Sequence, residues 1–334
     1  MQEFDSTLTD QLRQLNEVAN GFRQSILLLT ANRLELFTHL NQGDCSANKI
    51  AADLGWNRRA AEVFLNALTA MGFLKKEQDV FSNAEIPNRL LVKGAPFYQG
   101  DILNHNLNLL ERWSRIEEVL YSGESLREPG KRREGEEMRD FINGMANLAK
   151  LTAAKLWQMV DLSSARKLLD LGGGPGTYAL MACQNYPELE AVVFDLPEVE
   201  PIFDEHRAAA GVGQRVQFHA GDYLSDPLPG NFDVCLVSNI IHSLGEQENR
   251  LLFSKTHNSL RNGGRIIVKD FFISEDGTEP LFSAVFAVNM LLGTEAGGCY
   301  SRRQVEGWLV EAGYRIQDYA NLTEQAGILL AEKF

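Results

Sequence analysis

Apolar positions between Leu8 and Leu40 recur at helical spacing, among them Ile26, Leu27, Leu29, Leu34, Leu36 and Phe37, with Val18 and Ile26 the only β-branched apolar residues in the stretch. A helical opening is expected. From Ser46 the run Ser-Ala-Asn-Lys-Ile-Ala-Ala-Asp-Leu-Gly predicts a short helix closed by Gly55, followed by a longer helix from about Asn57 to Met71. Two β-like pieces, Phe73 to Lys76 and Val80 to Ser82, flank a polar turn at Gln78-Asp79 and complete a winged-helix outline. Phe97 to Tyr121 reads as another helix, Gly123 to Gly135 as a surface connection, and Glu137 to Val160 as a helix with Phe141, Met145, Leu148, Leu151 and Leu156 at core-like spacing. Beyond Lys167 the texture changes: short apolar runs at 168–171, 191–194, 216–218, 234–237 and 266–268 alternate with helical stretches, as in a parallel sheet. Tyr314 to Tyr319 and Ile328 to Ala331 add a C-terminal antiparallel hairpin, so an α/β fold with a mixed sheet is expected. The division is a mainly helical winged-helix domain over residues 1–100, bridging helices over 101–160, and an α/β domain over 161–334.

The winged-helix outline suggests DNA binding, but charge opposes it. The chain of 334 residues carries 32 Lys and Arg against 45 Asp and Glu, a net charge of −13, which repels phosphate backbones and anionic lipid. The helix from about Asn57 to Met71 offers only Arg58 and Arg59 as cations, against Glu62. Neither nucleic acid nor a membrane is an expected partner. Cys45, Cys183, Cys235 and Cys299 lie far apart without a CxxC pair, fitting neither a disulfide framework nor a metal cluster. Met1 to Asp5 has no basic or apolar leader character, and no run approaches the roughly 18 apolar residues of a membrane span. A cytoplasmic location is the expectation.

The sharpest chemical signal is Leu169-Asp170-Leu171-Gly172-Gly173-Gly174-Pro175-Gly176-Thr177, between the first strand of the α/β half and a helix. Glycines let backbone approach a ligand closely, and the amides at the following helix start attract negative charge. Asp195 ends the second strand, where a carboxylate can accept hydrogen bonds from both hydroxyls of a ribose or cap a helix. A dinucleotide and S-adenosylmethionine both satisfy this arrangement so far, and Asp170 separates them. Its carboxylate would repel a pyrophosphate and attract the α-amino group of S-adenosylmethionine. Asp222, after Gly221, reads either as a ligand residue or as a turn residue. His39, His105, His206, His219 and His257 sit in no partner motif. His242 instead follows the apolar strand at 233–237, where open α/β sheets place ligands, and can take a phenolic or enolic proton.

The segments Asp170 to Gly176, Val193-Phe194-Asp195-Leu196-Pro197, Gly221-Asp222-Tyr223-Leu224, Ile240-Ile241-His242-Ser243 and Asn262-Gly263-Gly264-Arg265 follow a winged-helix half in that order. Together they resemble the S-adenosylmethionine-dependent small-molecule O-methyltransferases of the caffeate and hydroxyindole type, over essentially the whole chain. The resemblance implies a class I methyltransferase domain, Rossmann-like, with S-adenosylmethionine as cofactor. It implies that Asp195 holds the ribose, that Asp222 and Tyr223 border the adenine, and that Gly172, Gly173 and Gly174 line the methionine part. Asp170, Leu196 and Ser238 complete the cofactor set. His242 becomes the catalytic base, oriented by Asp270, 28 positions later. Phe141, Met145, Asn289 and Met290 are the expected acceptor contacts, and no metal is called for. Two departures weaken the support of the base: Ser243 stands where an acid is usual, and Cys299-Tyr300 where a second acid is expected.

The expected reaction is methyl transfer to a hydroxyl of a small aromatic, quinone-like or polyketide-like acceptor. Methylation of carbon or nitrogen on the same scaffold, and a non-catalytic winged-helix regulator, are the alternatives. Leu27, Leu28, Leu29, Leu34, Leu36 and Phe37 offer more apolar surface than one short helical region hides alone, so a homodimer through the N-terminal half is expected.

Overall fold

Helix N-caps and glycine stops set the first elements. The computed structural model describes residues 6–127 and 135–334, in two compact units, Met1–Asn108 and Leu109–Phe334. The first unit opens with α1 (Ser6–Arg33) and α2 (Leu36–Leu40), separated where Glu35 turns left-handed at φ 57°. Next come β1 (Cys45–Ser46), α3 (Ala47–Leu54), α4 (Arg58–Ala70), β2 (Leu74–Glu77), β3 (Val80–Asn83) and α5 (Glu85–Leu90). Ser46 Oγ accepts from Lys49 N at 3.3 Å, and Asn57 Oδ1 accepts from Ala60 N at 3.1 Å, caps worth about 1 kcal/mol each. The three strands form an antiparallel sheet in the order β1-β3-β2, and Ala61, Leu65 and Leu68 of α4 turn one face into the core of this unit.

That core corrects one expectation. Leu29, Leu36 and Phe37 are buried and Leu27 and Leu28 pack beside them, so these five fill the unit's own interior and Leu34 alone of the six is exposed, at 43%. The apolar surface lies earlier, on α1, where Leu8, Leu12, Leu15, Val18, Phe22 and Ile26 are exposed. Their spacing of three or four places them on one helical face.

The remaining helices and strands are α6 (Gly100–Ser114), α7 (Ile116–Ser122), α8 (Gly135–Met159), β4 (Lys167–Leu171), α9 (Thr177–Asn185), β5 (Glu190–Asp195), α10 (Glu200–Ala210), β6 (Val216–Ala220), β7 (Phe232–Ser238), α11 (Glu246–Ser259), β8 (Leu260–Asp270), α12 (Leu281–Gly293), α13 (Arg302–Glu311), β9 (Tyr314–Asn321) and β10 (Gly327–Lys333). The single helix expected over 97–121 is two: Arg115 N bonds back to Arg112 O at 3.0 Å, a three-residue closure that ends α6. Residues 128–134 of the expected surface connection lie outside the described residues. The second unit holds one seven-stranded sheet in the order β6-β5-β4-β7-β8-β10-β9. Pairing is parallel from β6 to β8 and antiparallel at β10 and β9, which gives the mixed sheet. One face packs Leu168, Val193, Leu236 and Ile267 against α8 and α9, and the other packs Leu169, Phe194, Val237 and Val268 toward α11 and α13. Such a sheet leaves the carboxyl ends of β4, β5, β7 and β8 on one rim. Among the described residues no helix is long and apolar enough to cross a membrane.

Candidate active site

The rim carries Asp170, Asp195, Ser238 and Asp270 at the ends of β4, β5, β7 and β8. Open α/β sheets take their ligands there. Asp170 is 1% exposed; its Oδ2 accepts from Ala179 N at 3.3 Å, while Oδ1 is buried without a hydrogen-bond partner. Burial first, and the nearby Asp195 charge second, push its carboxyl up to about 7. A buried carboxyl lacking one partner is stabilised as the anion by an incoming cation. The start of α9 is thus answered partly by Asp170 itself, which modifies the expectation that its amides wait for an external anion. The glycines keep this cradle open. A Cβ on Gly173 would stand 2.7 Å from Asp170 Cγ, and Gly172, at φ 61°, would meet Ile240 Cδ1 at 2.4 Å.

Asp195 is partly buried and accepts from Gly174 N and from Leu196 N, each at 2.7 Å. Each carboxylate oxygen keeps further lone-pair capacity, so the residue can clamp the glycine turn and still accept two hydroxyls. Burial raises its pKa despite those two amides. Asp222 makes the turn that its Gly-Asp context suggests: its Oδ1 accepts from Leu224 N at 2.9 Å and its amide donates to Asp226 at 2.8 Å. Lys255 fastens the same turn through the carbonyls of Tyr223, Leu224 and Asp226 at 2.5, 3.0 and 2.6 Å. A cavity of about 320 Å³ opens beside it, lined by Leu196, Pro197, Ala220, Gly221, Asp222 and Ser225. The Tyr223 phenol is partly buried near Ser243 and pushed up to about 12 by desolvation.

His242 sits in a single 3-10 turn, Ile241–Ser243, just past β7. Its Nδ1 lies 2.7 Å from Asp270 Oδ1, which also accepts from Phe271 N at 2.8 Å. Asp270 is 2% exposed and its Oδ2 has no hydrogen-bond partner. A carboxylate partner makes Nδ1 the donor, which leaves Nε2 as the basic nitrogen. Phe271 stacks on the imidazole with centroids 5.8 Å apart, and Phe286 meets it edge-on at 4.9 Å. The departures take concrete form here. Ser243 Oγ turns back to Ile240 O at 2.7 Å, Tyr300 OH bonds the Leu244 carbonyl, and Cys299 is a thiol pushed up to about 12 by burial and then by Asp270. Neither Ser243 nor Cys299 supplies a second carboxylate.

The expected acceptor residues are less closely gathered. Asn289 Oδ1 accepts from Trp113 Nε1 at 3.2 Å, on the helix that carries Phe282 and Phe286. Phe141 packs against the cluster of Ile142, Val199 and Ile202, Met145 is partly buried, and Met290 is 8% exposed within α12. The sequence reading missed Phe271, Phe286 and Trp113. The one available signal was the four-residue spacing of Phe282 and Phe286 within an apolar run.

A parallel-sheet rim with an acid-flanked glycine turn, a second strand-end acid and a His-Asp pair is an arrangement suited to a nucleotide-like ligand beside a proton acceptor. Residues 122–315 match the O-methyltransferase domain family, and residues 16–93 match the O-methyltransferase dimerisation domain. The chain belongs to this O-methyltransferase family and is a methyltransferase. It is 32% identical to 3-hydroxy-5-methyl-1-naphthoate 3-O-methyltransferase of Streptomyces sahachiroi, over 90% of this chain and 88% of that one. It is 31% identical to the tetracenomycin polyketide synthesis 8-O-methyl transferase TcmO of Streptomyces glaucescens, over 89% and 90% of the two chains. The structure of human N-acetylserotonin methyltransferase in complex with SAM superposes with a TM-score of 0.88 at 24% identity, covering 100% of this chain and 99% of the human one.

Proposed function

We propose that this protein transfers a methyl group to a hydroxyl of a small aromatic or polyketide-like acceptor, with His242 as general base. S-adenosylmethionine is the methyl donor. The observation that carries the reading is the 2.7 Å contact between His242 Nδ1 and Asp270 Oδ1, on the same strand-end rim as the unpartnered carboxyl oxygen of Asp170. The hydroxynaphthoate in the name of one Streptomyces relative, and the polyketide synthesis and O-methyl transfer in the name of the other, support the acceptor class.

When bound, S-adenosylmethionine supplies a methyl group on a cationic sulfur that departs as a neutral thioether. Asp170 would hold the ammonium of its methionine part through Oδ1, the Gly172–Gly174 backbone would line the chain, Asp195 would accept the ribose hydroxyls, and Leu196, Asp222, Tyr223 and Ser238 would border the nucleoside. His242 Nε2 takes the acceptor's hydroxyl proton as that oxygen forms its bond to the methyl carbon. Asp270 holds the imidazole in the correct tautomer and stabilises the imidazolium, as orienting carboxylates do. Phe271 and Phe286 narrow water access to the base. Phe141, Met145, Asn289 and Met290 are assigned to the acceptor side. Because the sulfur is already activated, alignment and water exclusion contribute much of the acceleration.

A pH dependence follows from Asp170. Its folded pKa of about 7 lies above the ordinary carboxylate value of about 4, so the unliganded protein holds a proton there that the unfolded chain has lost. Unliganded stability therefore declines as pH rises from about 4 to about 7 and is level above. Binding an ammonium requires the carboxylate, so affinity for S-adenosylhomocysteine should fall by up to about tenfold per pH unit below about 7, with proton release. Calorimetry in two buffers of different ionisation enthalpy reads both effects. Flat affinity between pH 5.5 and 8 would remove Asp170 from the ammonium site.

The dimerisation-domain match and the exposed apolar face of α1 support a homodimer built on the first unit. Light scattering at micromolar concentration should give twice the chain mass, and Leu15→Glu with Val18→Glu should shift it toward the monomer. A wild-type monomer would contradict the assignment.

A further inference from the structure

Two residues outside the assigned site join the ends of the strands that carry the base and its orienting acid. Asn239 directly follows β7 and precedes His242 by one short turn, and Lys269 directly precedes Asp270 in β8. They meet twice. The Asn239 N–H donates to the Lys269 carbonyl at 2.8 Å, and Lys269 Nζ donates to Asn239 Oδ1, also at 2.8 Å. One bond is backbone and one is side chain, so β7 and β8 remain tied past the last ladder pair, Ser238 with Lys269.

Both residues stand in costly states. Asn239 has φ 58°, a left-handed conformation that asparagine tolerates better than most residues but that still costs about 1 kcal/mol. Lys269 is only 4% exposed, and among the described residues its ammonium makes no ion pair. Its partners are one amide oxygen and the ring of Phe271, whose centroid lies 5.4 Å from Nζ. A buried charge held by an amide and an aromatic face recovers only part of its lost hydration. Strained backbone and buried charge persist where surrounding structure enforces them, and they cluster where function needs fixed geometry. The Phe271 ring under the ammonium is the ring that stacks on His242. Lys269 therefore grips the loop from which His242 projects and the ring that backs its imidazole.

We infer that Asn239 and Lys269 form a clasp that positions His242 against Asp270, an inference that rests on the reading of His242 as the base. Neither is assigned to the reacting atoms; they are positioning residues. The His242–Asp270 bond at 2.7 Å is short and directional, and such a bond weakens steeply when its donor swings out of line.

The test uses the full-length protein with Asn239→Gly, which suits the left-handed backbone while deleting the oxygen, and Lys269→Met, which keeps the stem and deletes the charge. Asn239→Asp retains the acceptor oxygen and serves as the rescue. The primary reading is the downfield Nδ1 proton of His242 in ¹H NMR of the unliganded protein. The second is turnover of a hydroxynaphthoate, with its KM and the S-adenosylhomocysteine affinity measured alongside. Asn239→Gly and Lys269→Met should move or broaden the Nδ1 resonance and lower kcat about tenfold, with KM and cofactor-product affinity close to wild type. Asn239→Asp should keep the resonance and most of the turnover. An unmoved resonance in both deletion variants, or a common fall of kcat, KM performance and affinity with thermal stability, overturns the clasp. His242→Ala separates the two ideas: if it stays active the base reading fails, whereas an inactive His242→Ala beside unchanged clasp variants defeats the clasp alone.

Discussion

Replacing His242 by alanine is expected to lower kcat about 10²- to 10⁴-fold while leaving the affinity for S-adenosylhomocysteine near wild type. The magnitude is that of a positioned base, and the selectivity follows from geometry. The imidazole bonds to Asp270 and is enclosed by Phe271 and Phe286, whereas the cradle assigned to the cofactor is built on Asp170, Gly174 and Asp195. Raising the pH should partly rescue the variant, because an acceptor hydroxyl that ionises unaided no longer needs the base. An acidic phenol or enol should therefore show the smaller defect. Asp270→Asn should cost less than His242→Ala, since it keeps the imidazole but removes the carboxylate that fixes its tautomer. Steady-state kinetics with chemistry rate-limiting decides the matter: an unchanged kcat in His242→Ala from about pH 6 to 9 leaves positioning alone as the catalytic device.

Asp195→Ala should weaken S-adenosylhomocysteine binding about 10²-fold or more. Two effects combine. The proposed ribose contacts are hydrogen bonds to a charged acceptor, worth about 1.5–3 kcal/mol each. The same carboxylate also holds the amides of Gly174 and Leu196 at 2.7 Å, so its removal frees the glycine turn and the chain after β5 together. Asp195→Asn, with one oxygen remaining, should lose less. Calorimetric dissociation constants for the three proteins give the comparison, and an alanine variant that binds as tightly as wild type would move the ribose elsewhere.

The α/β half was readable because period and punctuation agree there. Apolar runs at 168–171, 191–194 and 234–237 became β4, β5 and β7, and glycines at the first turn marked the rim where ligands bind. Asp170 could be picked out because a carboxylate directly before such a turn discriminates between cationic and anionic ligands. The exposed apolar face was misplaced because local apolar density does not separate a core from a surface: Leu29, Leu36 and Phe37 enter the unit's own core, while the sparser Leu8-to-Ile26 stripe stays exposed. The aromatic enclosure of His242 was illegible for another reason. Phe271 and Phe286 lie on separate elements that meet only after β8 and α12 pack, and no local period reports a contact of that kind. Lys269 illustrates the same limit, since a lysine at a strand end reads as a solvated charge until its burial is seen.

The fate of the methyl group is the most direct test of hydroxyl methylation. Incubating the protein with S-adenosylmethionine carrying a ¹³C-labelled methyl and a panel of hydroxynaphthoates and hydroxylated polycyclic polyketides, then reading the products by ¹³C NMR, locates the transferred carbon. The predicted result is a new aryl methyl ether resonance that depends on His242, with no label on nitrogen or ring carbon. Label appearing as an N-methyl or C-methyl group, or bound cofactor with every hydroxyl in the panel left unmethylated, would contradict it.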